Sequence, residues 1–206
     1  MRRAVVAAAL LVLALPALAA RTVLVLGDSL SAAYGLASAD QGWVSLLAKR
    51  LAAADPPWQV ANASVSGETT AGGLSRLPTE LRRHHPSVVV IELGANDALR
   101  GQPVAAIRAN LERLVKLVRA ARAQPVLVGI MIPPNYGIDY AHEFRDAYGA
   151  VARAMKVPLV PFLLAGVVEH AELFQDDQLH PVAAAQPRML ENVWRTLEPV
   201  VAKAAP

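Results

Sequence analysis

The stretch Val23-Leu24-Val25-Leu26-Gly27-Asp28-Ser29-Leu30 decides how the rest of the chain is read. Residues 23–26 are apolar and predict a strand, which stops in Gly-Asp-Ser. A strand ending this way presents a hydroxyl at the carboxyl edge of a sheet, where open α/β folds bind their ligands. A serine there does no chemistry unless the chain also supplies a base, a carboxylate to orient that base, and donors for an oxyanion. The segments downstream have to supply all three.

Outward from that strand, short apolar runs alternate with helical periodicities. Residues 42–53 set Trp43, Leu46, Leu47 and Leu51 three and four apart, which predicts a helix. A second strand is expected over residues 58–63. Residues 69–84 carry a helical pattern through Leu74, Leu77 and Leu81, interrupted by Pro78. The third strand, residues 87–93, contains Val88-Val89-Val90-Ile91, apolar on both faces as a central parallel strand must be. Residues 104–123 form the clearest helix, with Ile107, Leu111, Leu114 and Val118 on one stripe. A fourth strand (126–132), a helix (140–155), a short fifth strand (157–160) and a last helix ending near residue 201 complete the pattern. Strands separated by helices imply crossover connections and a parallel sheet covered on both faces. The expected fold is one α/β domain over residues 20–206. It has three α/β/α layers and a five-stranded parallel sheet in the flavodoxin-like order 2-1-3-4-5.

The amino terminus belongs to a different device. Met1-Arg2-Arg3 is a basic head, residues 4–15 are uninterrupted Ala, Val and Leu, and Pro16 precedes the small-residue pattern Ala17-Leu18-Ala19. This composition predicts a secretory signal peptide over residues 1–19, cleaved after Ala19 or one residue later. The alternative is an uncleaved anchor, for which the apolar run is at the lower length limit. The full chain carries 20 Lys+Arg and 17 Asp+Glu. Losing Arg2 and Arg3 leaves 18 against 17, a net charge of +1. The remaining arginines, among them Arg76 and Arg100, are scattered and read as solvated helix faces, so a nucleic-acid partner is not expected. With no cysteine in the chain, disulfides, thiolate metal sites and cysteine nucleophiles are excluded.

Polar residues gather at the strand ends. The second strand runs into Asn62-Ala63-Ser64-Val65-Ser66-Gly67-Glu68-Thr69 and the third into Gly94-Ala95-Asn96-Asp97. A fourth segment, Asp176-Asp177-Gln178-Leu179-His180-Pro181, precedes the last helix. Ser29 is the candidate nucleophile and His180 the candidate base. Asp177 lies three residues earlier, so on one turn its carboxylate can accept from the imidazole and leave the other ring nitrogen free for the serine proton. Candidate oxyanion donors are the Ser29 N–H, the Gly67 N–H and the Asn96 side-chain amide.

Taken singly, each motif has an ordinary reading. Gly-Asp-Ser and Gly-Ala-Asn-Asp are common turn compositions. Ser66 and Thr69 suit a helix cap, and Asp177 to His180 suit a helix start that tolerates Pro181. Their conjunction at one sheet edge favours a serine hydrolase that needs no metal or organic cofactor. Asp28 and Asp97 read as braces that accept backbone N–H bonds. Glu68 and Glu92 border the site without forming a glycosidase-type carboxylate pair.

Gly-Asp-Ser-Leu, a glycine block, Gly-x-Asn-Asp and Asp-x-x-His, in this order, resemble the GDSL or SGNH hydrolase family. Within it they are similar to the exported bacterial thioesterase/lysophospholipase (arylesterase) subgroup. Ile132-Pro133-Pro134-Asn135-Tyr136-Gly137 adds to that likeness. The resemblance covers essentially the whole mature chain. It implies the catalytic set Ser29, Asp177 and His180, and an oxyanion hole from Ser29, Gly67 and Asn96. It also implies an acyl groove that includes Leu99, Pro133, Tyr136 and Ile138; the alternative is that these residues only pack the core. Gln178 departs from the pattern, standing where members often have Gly. The expected activity is hydrolysis of carboxylic esters and thioesters of acyl chains, small or lipidic, by a monomer exported to the periplasm or secreted and not inserted in the membrane. Carbohydrate O-deacetylation, also found in the family, and a non-catalytic binding module are the alternatives.

Overall fold

The computed structural model describes residues 21–204. The expected signal peptide therefore lies outside the described residues. Five parallel strands form one sheet in the order β2-β1-β3-β4-β5, as the alternation of apolar runs predicts. The strands are β1 (Thr22–Gly27), β2 (Gln59–Asn62), β3 (Val88–Glu92), β4 (Gln124–Val128) and β5 (Leu159–Val160). Strands β1 and β3 are buried along their whole length, which accounts for their lack of a polar face. Helices α1 (Trp43–Ala52) and α6 (Gln186–Ala204) pack together on one face of the sheet. On the other, α4 (Val104–Ala120) packs between α2 (Thr70–His84) and α5 (Ile138–Met155). Between β3 and α4 lies one further helix, α3 (Ala95–Leu99).

Several boundaries differ from the expected ones, for identifiable reasons. The fourth strand was expected over 126–132, yet it starts at Gln124 and leaves the sheet after Val128. Gly129 still donates to the Val160 carbonyl (2.8 Å), but its own carbonyl accepts from the Leu163 N–H (3.0 Å), one residue beyond the parallel register, so the ladder ends there. Residues 130–132 thereby turn out of the sheet. The fifth strand shrinks from 157–160 to Leu159–Val160, because Pro158 has no donor. Helix α2 runs straight through Pro78, held by the burial of Leu77 and Leu81 on its inner face. The five residues of α3 are too few to show a periodicity, so sequence reading treats them as loop. Gly94 sets its start with φ +125°, a backbone conformation open to glycine alone. A Cβ at Gly94 would also lie 2.4 Å from the Tyr148 hydroxyl.

Parallel pairing carries the ends of β1, β2 and β3 to one edge. The register places Gly27 beside Glu92 and Val25 beside Asn62. The Val65 N–H bonds the Gly27 carbonyl at 3.0 Å, which lays the loop after β2 along the end of β1. The three polar segments that follow β1, β2 and β3 are therefore made neighbours by the backbone pairing of the sheet.

Candidate active site

Ser29 sits in a turn held from several sides. The Asp28 carbonyl accepts from the N–H groups of Ser31 (3.3 Å) and Ala32 (2.9 Å), and Asp28 Oδ1 accepts from the Leu30 N–H (3.0 Å). Asn62 Nδ2 donates to the Ser31 carbonyl at 2.9 Å, so the end of β2 grips the same turn. The Ser29 N–H itself makes no hydrogen bond to any described residue. Its hydroxyl lies 2.9 Å from His180 Nε2.

His180 and Asp177 arrive on a separate excursion between β5 and α6. Asp177 Oδ1 accepts from the N–H groups of Leu179 and His180, both at 2.9 Å, and this fixes the carboxylate against its own turn. Oδ2 is then left 2.6 Å from His180 Nδ1. A carboxylate at that nitrogen selects the tautomer with Nδ1 protonated and Nε2 bare, facing the serine. Partial desolvation pushes the Asp177 carboxyl up, but the bonds from the His180 ring and from the two backbone N–H groups outweigh it. The result is a carboxyl held at about 2. The excursion is fastened at its base: Gln175 N–H donates to the His180 carbonyl (2.8 Å) and Val182 N–H to the Leu173 carbonyl (2.8 Å). The Gln175 side chain spans to the Tyr34 carbonyl at 2.9 Å, and the Tyr34 ring lies against the imidazole, centroids 4.5 Å apart.

The expected oxyanion donors divide into two groups. Asn96, on α3, donates one amide hydrogen to Asp28 Oδ2 (3.0 Å) and shares a cavity with Ser29 and His180, leaving its second N–H available there. Gly67 is not among the residues lining that cavity. It occupies the adjoining turn with φ +79°, which favours glycine, and that turn is closed by the Glu68 N–H on the Val65 carbonyl. Its own N–H bonds no described residue. Two arginines expected to be solvated brace this loop instead. Arg100 donates to the Gly67 carbonyl (3.1 Å), while Arg76 pairs with Glu68 (2.7 Å) and reaches the Ala63 carbonyl. Asp97 accepts from the Thr70 N–H (2.8 Å) and hydroxyl (2.6 Å), joining α3 to the start of α2 in the bracing role read from the sequence.

A cavity of about 640 Å³ opens beside Ser29, Asn96 and His180. Leu99 and Pro133 line it; Tyr136 and Ile138, placed in the same groove by the resemblance, do not. Residues Pro134–Tyr136 wind into a 3-10 turn that carries the chain outward, leaving Tyr136 45% and Ile138 64% exposed. Tyr140, on the first turn of α5, donates its hydroxyl to the Gln102 carbonyl (2.6 Å) and does not line the cavity. Ile132, in the same loop as Pro133, adds to the wall, and much of the rest comes from residues that no sequence motif marks: Ile130 after β4, and Phe162, Leu164, Val168 and Phe174 after β5. Among the described residues, no three His, Cys, Asp or Glu side chains are grouped to hold a metal ion.

Two carboxyls lie beneath the site. Burial pushes Asp28 up to about 6, against the opposing effects of the Leu30 N–H, Glu92, His180 and Asn96. Burial first, and then the Asp28 charge, raises Glu92 well above the usual carboxyl range.

A serine hydroxyl, an imidazole and a carboxylate in line, beside an apolar cavity with an amide donor, suit acyl transfer. The model of the GDSL-like lipase/acylhydrolase family matches residues 25–186. The chain belongs to that family. As a GDSL hydrolase it resembles esterase TesA of Pseudomonas aeruginosa, with 52% identity over 89% of this chain and 90% of the relative. It is also 40% identical to thioesterase 1/protease 1/lysophospholipase L1 of Escherichia coli K12, over 93% of this chain and 90% of the relative. The crystal structure of TesA superposes with a TM-score of 0.82, covering 87% of this chain and 99% of that one at 52% identity. This GDSL hydrolase departs from the family pattern at Gln178, which the structure holds at φ +56°, in the left-handed region that favours glycine. Gln178→Gly is expected to stabilise the fold by about 0.5–1 kcal/mol, the strain relieved exceeding the extra chain entropy. Thermal unfolding checks this as a rise of about 1–4 °C in Tm; an unchanged or lower Tm contradicts it.

Proposed function

We propose that this GDSL hydrolase cleaves carboxylic esters and thioesters of acyl chains through an acyl-enzyme on Ser29. The observation that carries the reading is the continuous line Asp177 Oδ2, His180 Nδ1, His180 Nε2, Ser29 Oγ, with separations of 2.6 and 2.9 Å. Ser29 Oγ attacks the carbonyl carbon as His180 Nε2 takes its proton. Asp177 stabilises the imidazolium that forms. The oxyanion is received by the Ser29 N–H, the Gly67 N–H and the free hydrogen of the Asn96 amide. His180 then hands the proton to the leaving alcohol or thiol, and water, deprotonated by the same imidazole, releases the acid. The cavity wall of Leu99, Ile132, Pro133, Phe162 and Leu164 suits an acyl chain rather than a sugar. Esterase and thioesterase/lysophospholipase are the names of its relatives, which agrees with this substrate class.

Residues 1–19 are read as a signal peptide that sends the enzyme to the periplasm or beyond. Among the described residues, no helix is long and apolar enough to cross a membrane. The line from Asp177 to Ser29 lies within one chain, so the site is complete in a monomer, the state read for this enzyme. Intact mass of the exported protein is expected to place the first residue at Ala20 or Arg21; retention of residues 1–19 rejects the cleavage reading.

Ser29→Ala tests the reaction. It is expected to lower kcat/KM for p-nitrophenyl esters by about 10⁴-fold or more. On the parent enzyme the same assay should favour medium and long acyl chains over acetyl. Undiminished activity in Ser29→Ala would remove Ser29 as the nucleophile, and an acetyl-only preference would reject the acyl-chain assignment.

A further inference from the structure

Glu92 is fully buried at the end of β3, and its surroundings are unusual for a carboxylate. Oε2 accepts from the Ser31 hydroxyl at 2.7 Å and from the Asp28 N–H at 3.3 Å. Oε1 is buried with no hydrogen-bond partner. The ionisable neighbour is another buried carboxyl, that of Asp28. No lysine or arginine among the described residues pairs with either group. The other titratable groups facing the pair are few. Tyr148 approaches from α5 with its hydroxyl on the Leu93 carbonyl (2.9 Å), and His180 faces Asp28 from the excursion before α6. Asp97, from α3, acts on Tyr148. Two adjacent buried carboxylates without a cation between them cannot both be ionised.

The donors held by Glu92 bracket Ser29 in sequence: Asp28 before it and Ser31 two residues after. The second carboxyl, on Asp28, takes the amide of Asn96. The pair thus holds both the turn that carries the attacking hydroxyl and the amide that is to receive the oxyanion. We propose that Asp28 and Glu92 hold one proton between them, and that Glu92, as the neutral acid of the pair, is a positioning residue for the Ser29 turn and, through Asp28, for Asn96. The side chain touches no substrate and acts only through the groups it holds. This proposal rests on the reading of Ser29 as nucleophile for its kinetic part alone.

Glutamine is the neutral isostere of a protonated glutamate, so Glu92→Gln should keep at least about a third of the parent kcat at pH 8. Glu92→Ala, which frees the Ser31 hydroxyl and the Asp28 N–H, should lose about 10- to 100-fold in kcat with KM changed less than about twofold. A second readout does not depend on activity. A carboxyl raised in the folded state favours folding fully below its unfolded pKa and loses that contribution as pH rises toward the folded value. Glutamine has no such dependence. The Tm advantage of Glu92→Gln over the parent should therefore be larger at pH 8 than at pH 5, by at least about 3 °C. A Tm difference independent of pH overturns the shared proton. Glu92→Gln as impaired in kcat as Glu92→Ala shows that a charge is required and overturns the neutral acid. Parent-like kcat in Glu92→Ala overturns the positioning role. If the alanine variant does not fold, the glutamine variant decides through kcat and the Tm difference. Failure of the Ser29 assignment would appear as an active Ser29→Ala protein and leaves the Tm test intact.

Discussion

The pairing of β1 with β3 fixes the turn that carries Ser29 at the sheet edge. Its register sets Gly27 opposite Glu92, and a Cβ on Gly27 would lie 2.7 Å from Ser31 Cβ and 2.9 Å from Glu92 Oε2. Glycine at the last position of β1 is what allows the chain to fold back so tightly that Ser31 reaches the neighbouring strand. A shift of this register by one residue would take Glu92 away from the turn and send β3's other set of side chains to each face. The position of Ser29 is thus fixed by backbone hydrogen bonds between two fully buried strands, among the stiffest parts of any α/β domain.

The other half of the constellation is built differently. Asp177 and His180 stand on an exposed excursion with little core of its own, and its order comes from local hydrogen bonds. The Asp177 carboxylate satisfies two backbone donors before it meets the imidazole, so the acceptor is oriented by the turn that carries it. Gln175 crosses to Tyr34 and the Tyr34 ring packs on the imidazole, tying the excursion to the chain just beyond Ser29. Asp177 remains 39% exposed while His180 is 19% exposed, a gradient that leaves the imidazole partly shielded and still open to a leaving group. The loop carrying Gly67 follows the same economy: Arg76 and Arg100 hold its carbonyls and its glutamate, leaving the glycine N–H unengaged.

Much of this was legible in the sequence, and the exceptions have physical causes. Strands β1 and β3 announce themselves because burial on both faces demands unbroken apolar runs. Ser29, Asn96, Asp177 and His180 are visible because polar residues at strand ends and before a helix have few structural uses in combination. The end of β4 is not visible, because it is set by the chain leaving β5, where the Leu163 N–H takes the Gly129 carbonyl out of register. The outward path of Tyr136 and Ile138 is hidden for a similar reason: a 3-10 turn and an apolar groove lining have the same composition. Phe162, Leu164, Val168 and Phe174 reach the cavity through long-range packing that leaves no periodic trace. Glu92 reads as a bystander, since a lone acidic residue at the end of an apolar strand says nothing about the second carboxyl buried against it. Gln178 reads in the sequence only as a departure from the motif, since nothing in the chain announces that this position lies in the left-handed region, where glycine is unstrained.

The proposed oxyanion site brings three amide donors to one point beside Ser29 Oγ, the Ser29 N–H and the Asn96 amide from the cavity and the Gly67 N–H from the adjoining loop. An experimental structure of the protein after reaction with a monoalkyl phosphonate ester measures this directly, because the phosphoryl oxygen occupies the place of the oxyanion. The account predicts phosphorus bonded to Ser29 Oγ, with that oxygen about 2.7–3.1 Å from Ser29 N, Gly67 N and Asn96 Nδ2. Phosphorus on another residue, or an oxygen turned to solvent with Gly67 N out of reach, would contradict it.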